Sequence, residues 1–270
     1  MRGHGLGLYW RLILASMTSQ MQYKASFILS SLGQFAATAV EIAGVWALFS
    51  RFGNLEHWNI AEVCMFYGLV NVSFAISDAI GTGFDQFGAL YVKTGHFDRL
   101  LLRPRSIFLQ LIGHEFALRR VGRFSQGLAV LAWSIVTLEI DFTAYQVFMM
   151  LVTIVTSVCF FLGLFILQAT LSFWSVETLE IMNTLTYGGV ECAQYPMAIY
   201  EGWFRRIFTF VIPLACISYF PVIAVLGIDD PLGSSRLFQT LVPLSGPLFL
   251  GISIVLFQRV GVRHYTSTGS

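Results

Sequence analysis

Six long apolar runs dominate this sequence of 270 residues and restrict the folds that it can adopt. A helix needs about 20 apolar residues to cross the ~30 Å hydrocarbon core of a bilayer, where it satisfies its own backbone hydrogen bonds. The runs therefore predict an all-α polytopic membrane protein, a single domain over residues 1–270 with six transmembrane helices. We place the spans at about residues 27–49, 60–84, 122–138, 145–173, 204–227 and 237–258.

The amino-acid composition excludes an ordinary soluble domain. Charged residues make up 11% and apolar residues 56% of the chain, whereas a soluble domain is about 25% charged. Six spans leave few residues for a separate catalytic domain. The net charge of +1 gives no reason to expect a nucleic-acid partner.

The distribution of Lys and Arg predicts the orientation in the membrane, because short cytoplasmic loops are enriched in positive charge. With the N-terminus inside, 14 of the 16 Lys and Arg residues fall on the cytoplasmic side, including Arg205 and Arg206, and only Arg51 and Arg236 fall outside. We therefore expect a multi-pass protein of the plasma or inner membrane with both termini cytoplasmic. Polar residues interrupt the sequence at 176–202, which is predicted as a cytoplasmic or interfacial helix and turn.

The usual sequence motifs for catalysis or cofactor binding do not occur in the chain. It has no G-x-x-x-x-G-K-[ST] motif for ATP phosphates and no G-x-S-x-G or H-E-x-x-H arrangement. Gly81, Thr82 and Gly83 could begin a dinucleotide-binding turn, but Gln86 stands where the third glycine is needed. The four cysteines lack the spacing of a metal site. The sequence thus predicts no catalytic, cofactor-binding or metal site on this chain.

Two carboxylates lie inside predicted spans, where an ionisable side chain costs about 2.5 to 3.5 kcal/mol on the insertion scale. Glu41 is near the middle of the first span, and Asp78 is in the cytoplasmic half of the second. They are candidates for a translocation path or a seam between subunits. The alternative is that protonation or a hydrogen bond within the helix bundle neutralises each of them.

A charged block at residues 95–104 follows the second span, and seven Lys and Arg residues lie between Lys93 and Arg123. Apolar residues recur around this block at helical spacing, at Phe84, Phe87, Leu90, Tyr91, Phe97, Leu100 and Leu101. Gly95 permits a turn, and Pro104 disfavours helical geometry at the residue before it. The pattern predicts an elbow whose apolar face packs against the membrane domain and whose charged residues point outward, at Lys93, Asp98, Arg99, Arg103 and Arg105. The alternative is a solvated loop that sets topology or contacts anionic lipid.

Three further blocks follow in the sequence: Tyr195-Pro196 with Ile199, Tyr200 and Arg205; Ile212-Pro213 with Pro221; and the tail at residues 261–269. Together with residues 95–104, and in their order relative to the six spans, these blocks resemble the membrane subunits of ABC-2 type transporters. The resemblance is to the small six-span permease family that pairs with a daunorubicin-resistance-like ATPase. It covers nearly the whole chain.

The resemblance implies a type V exporter-like fold, with an N-terminal interfacial helix at about residues 8–23 and a re-entrant break within residues 229–247. It implies a half-transporter that contacts separate ATP-binding cassette ATPase subunits, which would hold the ATP and magnesium. The other implied partners are membrane lipid and a second, related permease in a heterodimer. The ATPase-coupling residues would be Lys93, Gly95, Phe97, Asp98, Arg99, Leu102, Arg103 and Pro104.

The resemblance also implies alternating access along a path between two such subunits, with Glu41 and Asp78 as candidate lining residues. Export of a lipid-like or amphipathic substrate would suit aromatic side chains at Phe35, Phe74, Phe208 and Phe210. Two other functions stay open on the sequence: a membrane assembly or binding subunit without transport activity, and an ion-coupled carrier that uses Glu41 or Asp78. The sequence does not select the substrate or the direction of transport.

Overall fold

The computed structural model describes residues 5–113, 116–175, 178–231 and 233–266, and within these ranges the regular elements are helices. This agrees with the all-α prediction. Residues 267–269 of the tail block lie outside the described ranges. The helices are α1 (Gly5–Gln22), α2 (Lys24–Phe52), α3 (Ile60–Asp85), α4 (Phe97–Leu101), α5 (Ile107–Ile112), α6 (Val121–Thr137), α7 (Ala144–Leu171), α8 (Thr178–Ala193), α9 (Gly202–Arg206), α10 (Leu214–Ile217), α11 (Tyr219–Leu226), α12 (Arg236–Leu241), α13 (Ser245–Leu256) and α14 (Val262–His264).

Four of the described helical stretches are long and apolar enough to cross a membrane, which makes the chain a multi-pass membrane protein. They are α2, α3 with its π-helical extension to Val92, α7, and the stretch Arg236–His264 that joins α12 to α14. A fifth is obtained if Gly202–Val211 and Leu214–Leu226 count as one broken span. α6 has 17 residues and reaches about 25 Å at 1.5 Å per residue, short of a full crossing by length alone.

α3 is the central helix of the bundle, because α6 and α7 pack along it and 83% of its most apolar stretch is buried. α2 lies at the periphery, with 17% of the equivalent stretch buried. We name the two ends of the bundle by their connections. The elbow end carries residues 93–105, and the loop end carries residues 53–59, 138–143 and 227–235.

Glycines allow α6 to approach its neighbours closely, as small residues do between membrane helices. A Cβ atom on Gly122 would lie 2.0 Å from the carbonyl oxygen of Ser31 in α2. A Cβ atom on Gly68 of α3 would lie 2.7 Å from Cβ of Leu131. These contacts fix how α6 is rotated against α3, and therefore which α6 side chains face it.

α8 corrects the prediction of a cytoplasmic or interfacial helix and turn at residues 176–202. Near its start, Asn183 accepts a hydrogen bond from Gln168 Nε2 of α7 over 3.2 Å, at the elbow end. Its middle contacts the centre of α3, where the ring centroids of Tyr187 and Phe74 lie 5.5 Å apart. Beyond its end, Met197 is buried in the same apolar cluster as the loop-end Trp58. α8 therefore packs along α3 and α7 toward the loop end, and it was not predicted as a span because polar residues interrupt its apolar run.

The predicted fifth span at residues 204–227 is also corrected, because this segment is two helices that meet at an angle of 71°. The break lies at Pro213, which has no N–H group to continue a helix, and Ile212 before it has extended backbone angles. The expected break within residues 229–247 is not observed among the described residues there, since Arg236–His264 is one helical stretch.

Both ends of the segment 202–226 lie at the loop end. Gly202 and Arg205 share a cleft with Asp230, and Gln146 Nε2 at the start of α7 donates a hydrogen bond to the Val225 carbonyl over 2.6 Å. The middle reaches half-way along α7, where Ser157 Oγ donates to the Ile217 carbonyl over 2.7 Å. The segment thus folds back on itself. Arg205 and Arg206 consequently lie at the loop end, not on the side of the elbow as their assignment to the cytoplasm requires.

Candidate functional site: the elbow and the polar seam

The elbow is built by a change of direction after α3. A π-helical turn, Gly88–Val92, extends α3, and Gly95 then takes a left-handed backbone conformation with φ of 69°. Glycine adopts this conformation without a steric penalty. α4 begins at Phe97 and ends at Leu101, three residues before Pro104. The turn at Gly95 and the stop before Pro104 agree with the sequence prediction.

The root of the elbow is an aromatic cluster. Phe97 is fully buried, and its ring centroid lies 5.3 Å from Phe87 after α3, 5.3 Å from Phe173 after α7 and 4.8 Å from Tyr265 near the C-terminus. The α5 residue Gln110 donates through Nε2 to the carbonyl oxygens of Leu100 and Arg105, each over 3.2 Å. The elbow is therefore attached to several elements of the bundle at once, and Phe97 positions it without reaching its outer surface.

The outer surface of the elbow carries the predicted charged residues. The exposed members of the predicted coupling set are Lys93, Arg99, Leu102, Arg103 and Pro104, and Leu102 is 85% exposed. Gly95 and Asp98 are half-buried. A cleft of about 360 Å³ lies on this surface, between the π-helical turn, α4 and α5, and it is lined by Tyr91, His96, Arg99, Leu100, Arg103, Gln110 and Gly113.

Two apolar residues of the elbow depart from the prediction of a buried face. Leu90 is 39% exposed and Leu101 is 44% exposed. Leu90 lies in the π-helical turn, which inserts an extra residue and rotates it out of the 3.6-residue register. α4 is five residues long, so Phe97 and Leu100, three apart, occupy the one face that is covered.

A line of polar contacts joins α3 to α6, and we call it the polar seam. Its α3 side consists of Tyr67, Asn71, Phe74 and Asp78, whose spacing of four, three and four residues puts them on one helix face. Asp78 is buried, and Arg120 Nε lies 2.8 Å from its Oδ2 atom. The contact is an ion pair without hydrogen-bond alignment, so both Asp78 carboxylate oxygens lack a hydrogen-bond donor among the described residues.

Arg123 occupies the middle of the polar seam and is only 7% exposed. Its Nε atom donates a hydrogen bond to Asn71 Oδ1 over 2.7 Å. Its guanidinium carbon lies 4.7 Å from the centroid of the Phe74 ring, within the range of a cation–π contact. Phe74 is therefore buried against Arg123 in this chain. The sequence analysis assigned Arg120 and Arg123 to a cytoplasmic run of positive charge and missed their partners in α3.

Glu41 marks the other end of the polar seam and lies on an exposed face of α2. Tyr67 Oη donates to the Thr38 carbonyl over 3.0 Å and lies 3.2 Å from Glu41 Oε2. Gln126 Nε2 in turn donates to Tyr67 Oη over 3.3 Å. The two carboxylates predicted from the sequence thus both contact residues of the polar seam, but Glu41 is exposed on α2 and Asp78 is buried in α3.

The described residues contain no group of three or more His, Cys, Asp or Glu side chains placed to hold a metal ion. The site instead offers an exposed cationic surface at the elbow and charge pairs inside the bundle. A protein-family model for ABC-2 family transporter proteins matches residues 35–269, a range that contains the elbow and the polar seam. Comparisons with the curated proteins and with the solved structures gave no significant match.

Proposed function

This chain belongs to the ABC-2 family of transporter proteins, and from that membership we propose that it is the membrane permease subunit of an ATP-binding cassette transporter. The observation that carries the proposal is the elbow, which has a buried aromatic root and an exposed cationic surface. A rigid root can transmit a force that acts on the surface, because packed interiors have low compressibility.

The proposed partner at the elbow is a separate ATPase that binds ATP and magnesium. Lys93, Arg99, Leu102, Arg103 and Pro104 would contact it. Phe97 and Gly95 would hold the shape of that surface, and Asp98 lies at its edge. The contact must differ between the two nucleotide states of the ATPase, since a surface that binds both states equally shifts no equilibrium.

The proposed route from the elbow into the bundle runs through α5 and the segment that precedes α6. Gln110 ties α5 to both sides of Pro104, and the Ala117 amide donates a hydrogen bond to the Ala79 carbonyl of α3 over 3.2 Å. Arg120 follows three residues later and pairs with Asp78. Movement of the elbow would therefore act on the polar seam, and alternating access would follow from a change in how α6 lies against α3.

The proposed translocation path lies on the open side of α2, against a second permease subunit. Glu41 is exposed there in the middle of a membrane-capable helix, an arrangement that lipid alone would disfavour. A neighbouring apolar cleft of about 460 Å³ between α2, α3 and α6 would suit a lipid-like substrate, and its lining includes Ile42, Trp46, Cys64, Val130 and Trp133. We further propose that the transporter exports its substrate and that the second permease subunit is a related but different chain.

Substitution of Glu41 tests the path. In proteoliposomes that contain the assembled transporter, Glu41→Ala is expected to slow ATP-dependent transport of a fluorescent lipid at least about tenfold. Glu41→Gln keeps an acceptor for Tyr67 and should retain most of the transport. Ser50→Ala, exposed on the same helix, serves as the control. Uptake driven by a proton gradient without ATP, and lost in Glu41→Gln, would instead establish the ion-coupled carrier.

The central experiment reverses the elbow charge. The double variant Arg99→Glu/Arg103→Glu is expected to weaken binding of the ATPase at least about tenfold, because like charges placed across an interface are strongly unfavourable. Binding is measured by co-purification and by titration of the purified ATPase into detergent-solubilised permease. Arg236→Glu, an exposed arginine at the loop end, should bind as the native chain does.

Two results would count against this assignment. Stoichiometric ATPase binding by Arg99→Glu/Arg103→Glu would remove the elbow from the interface. A native complex that hydrolyses ATP without moving any lipid or amphipathic probe would favour the assembly or binding subunit without transport activity.

A further inference from the structure

A polar pocket of about 290 Å³ lies at the corner where α1 meets α2, outside the elbow and the polar seam. It is lined by Gln20, Tyr23, Ser26, Phe27, Ser30 and Arg119. α1 ends at Gln22 and α2 begins at Lys24, so the corner itself is short and exposed. The pocket therefore opens beside the first residues of a membrane-capable helix.

Arg119 and the hydroxyl groups of this pocket are available to a ligand. Arg120 and Arg123 are engaged by Asp78 and Asn71, whereas Arg119 is exposed and makes no ion pair or hydrogen bond with any described residue. The hydroxyl groups around it, those of Tyr23, Ser26 and Ser30, likewise have no partner in the described ranges.

The charge that α1 and the first half of α2 bring to the pocket is positive, whereas Asp78 and Asp85, the carboxylates that interact electrostatically with Arg119, come from α3. Lys24 adjoins it and is exposed, and the sequence contains no Asp or Glu before Glu41. A guanidinium group together with several hydroxyl donors matches the oxygens of a phosphate group. The chemistry of the lining thus selects a phosphate ester or free phosphate over a cation or an apolar molecule.

The surface next to the pocket favours a lipid as the source of that phosphate. Ser26, Ser30, Gly33 and Ala37 follow one another at helical spacing on α2, and all are exposed. A Cβ atom on Gly33 would meet nothing within 4 Å, and Leu29 beside this line is 73% exposed. The line forms an open strip, continuous with the pocket, along which an acyl chain can lie.

We propose that the α1–α2 corner binds the headgroup of an anionic phospholipid, with Arg119 on the phosphate and an acyl chain along α2. The bound lipid lies next to the segment before α6. Gln20 Nε2 donates to the Phe116 carbonyl over 2.6 Å, and Gln20 Oε1 accepts from the Leu118 amide over 3.1 Å. Through Arg119, the lipid adds to the contact that Gln20 makes between α1 and this segment, one residue before Arg120.

Lipid binding is measured on the full-length protein in detergent by native mass spectrometry, with dioleoyl phosphatidylglycerol and dioleoyl phosphatidylcholine as probes. Phosphatidylglycerol should bind with the higher affinity. Arg119→Gln is expected to weaken its binding about tenfold or more, because a hydrogen-bonded charge contact is lost. Ser26→Ala/Ser30→Ala should weaken it about threefold. Arg236→Gln, an exposed arginine at the loop end, should bind as the native protein does.

Several results would overturn the proposal. Unchanged phosphatidylglycerol binding by Arg119→Gln would remove the pocket, and equal affinity for phosphatidylcholine would remove the preference for an anionic lipid. Displacement of the lipid by millimolar inorganic phosphate would identify a site for free phosphate. If Arg119→Gln is not monodisperse on gel filtration, Arg119→Lys decides: it keeps the charge but not the two-pronged contact, and should bind with a loss smaller than tenfold.

Discussion

Arg120→Gln is expected to lower the free energy of unfolding by about 3 to 5 kcal/mol, because it removes the ion-pair partner of the buried Asp78 carboxylate. The Asp78 oxygens have no hydrogen-bond donor among the described residues that could replace Arg120. The loss should appear as a lower thermal unfolding midpoint of the detergent-solubilised protein. Transport should fall in parallel if the polar seam carries the movement of the elbow.

Neutralising both Asp78 and Arg120 separates the effect of the unpaired charge on stability from the effect of the changed side-chain shape. Asp78→Asn/Arg120→Gln should recover most of the lost stability, since removal of a whole buried ion pair costs much less than removal of one member. The matched control is Arg236→Gln, whose partner Asp229 lies 3.9 Å away in a solvent-exposed pair; it should leave the midpoint unchanged. A double variant no more stable than Arg120→Gln would show that the pair has no special role.

Phe97→Ala is expected to cost about 3 to 5 kcal/mol of local stability, the usual range for removing a buried phenylalanine side chain. Phe97 joins α4 to the bundle, because its ring packs against Phe87 after α3, Phe173 after α7 and Tyr265 in the C-terminal segment. Its loss should release the elbow while leaving Arg99 and Arg103 on the surface. We therefore expect the ATPase to bind the Phe97→Ala permease but no longer to drive transport.

The measurement compares ATP hydrolysis with transport in the same proteoliposomes. In Phe97→Ala, transport per ATP hydrolysed should fall at least about tenfold, and amide exchange at residues 93–105 should accelerate. Leu101→Ala is the matched control within α4, because Leu101 is 44% exposed. It should keep native amide exchange. If Phe97→Ala retains native exchange and native transport, the aromatic root does not hold the elbow.

Hydropathy predicts the helices whose faces are uniformly apolar, and it fails where polar residues interrupt a helix that packs on the bundle. α2, α3 and α7 appear close to their predicted bounds because their apolar runs are unbroken. α8 was placed wrongly because Asn183 and Tyr187 lower its hydropathy, although both contact other helices. The segment 202–226 is largely apolar after Arg206 and is therefore predicted as one span, because hydropathy carries no information about the direction of the chain after Pro213.

The candidate site could be predicted where one segment contains the whole signal. The turn at Gly95, the buried Phe97 and the exposed Arg99 and Arg103 all follow from a local pattern. The polar seam could not be predicted in this way. Arg120 and Arg123 look like topology-setting charges in the sequence, and only the face of α3 that carries Asn71 and Asp78 gives them partners.

The path of α8 has a consequence for how the protein is made. Insertion of a single segment depends on its own apolarity, and α8 contains Glu180, Asn183 and Glu191 within 16 residues. It is therefore a poor substrate for the insertion machinery by itself. Its buried residues include Met182, Thr186, Val190 and Ala193, whereas Glu180, Asn183 and Glu191 are exposed. We therefore expect α8 to enter the membrane by docking its buried face onto α3 and α7, so that membrane topology and tertiary folding are completed in the same step.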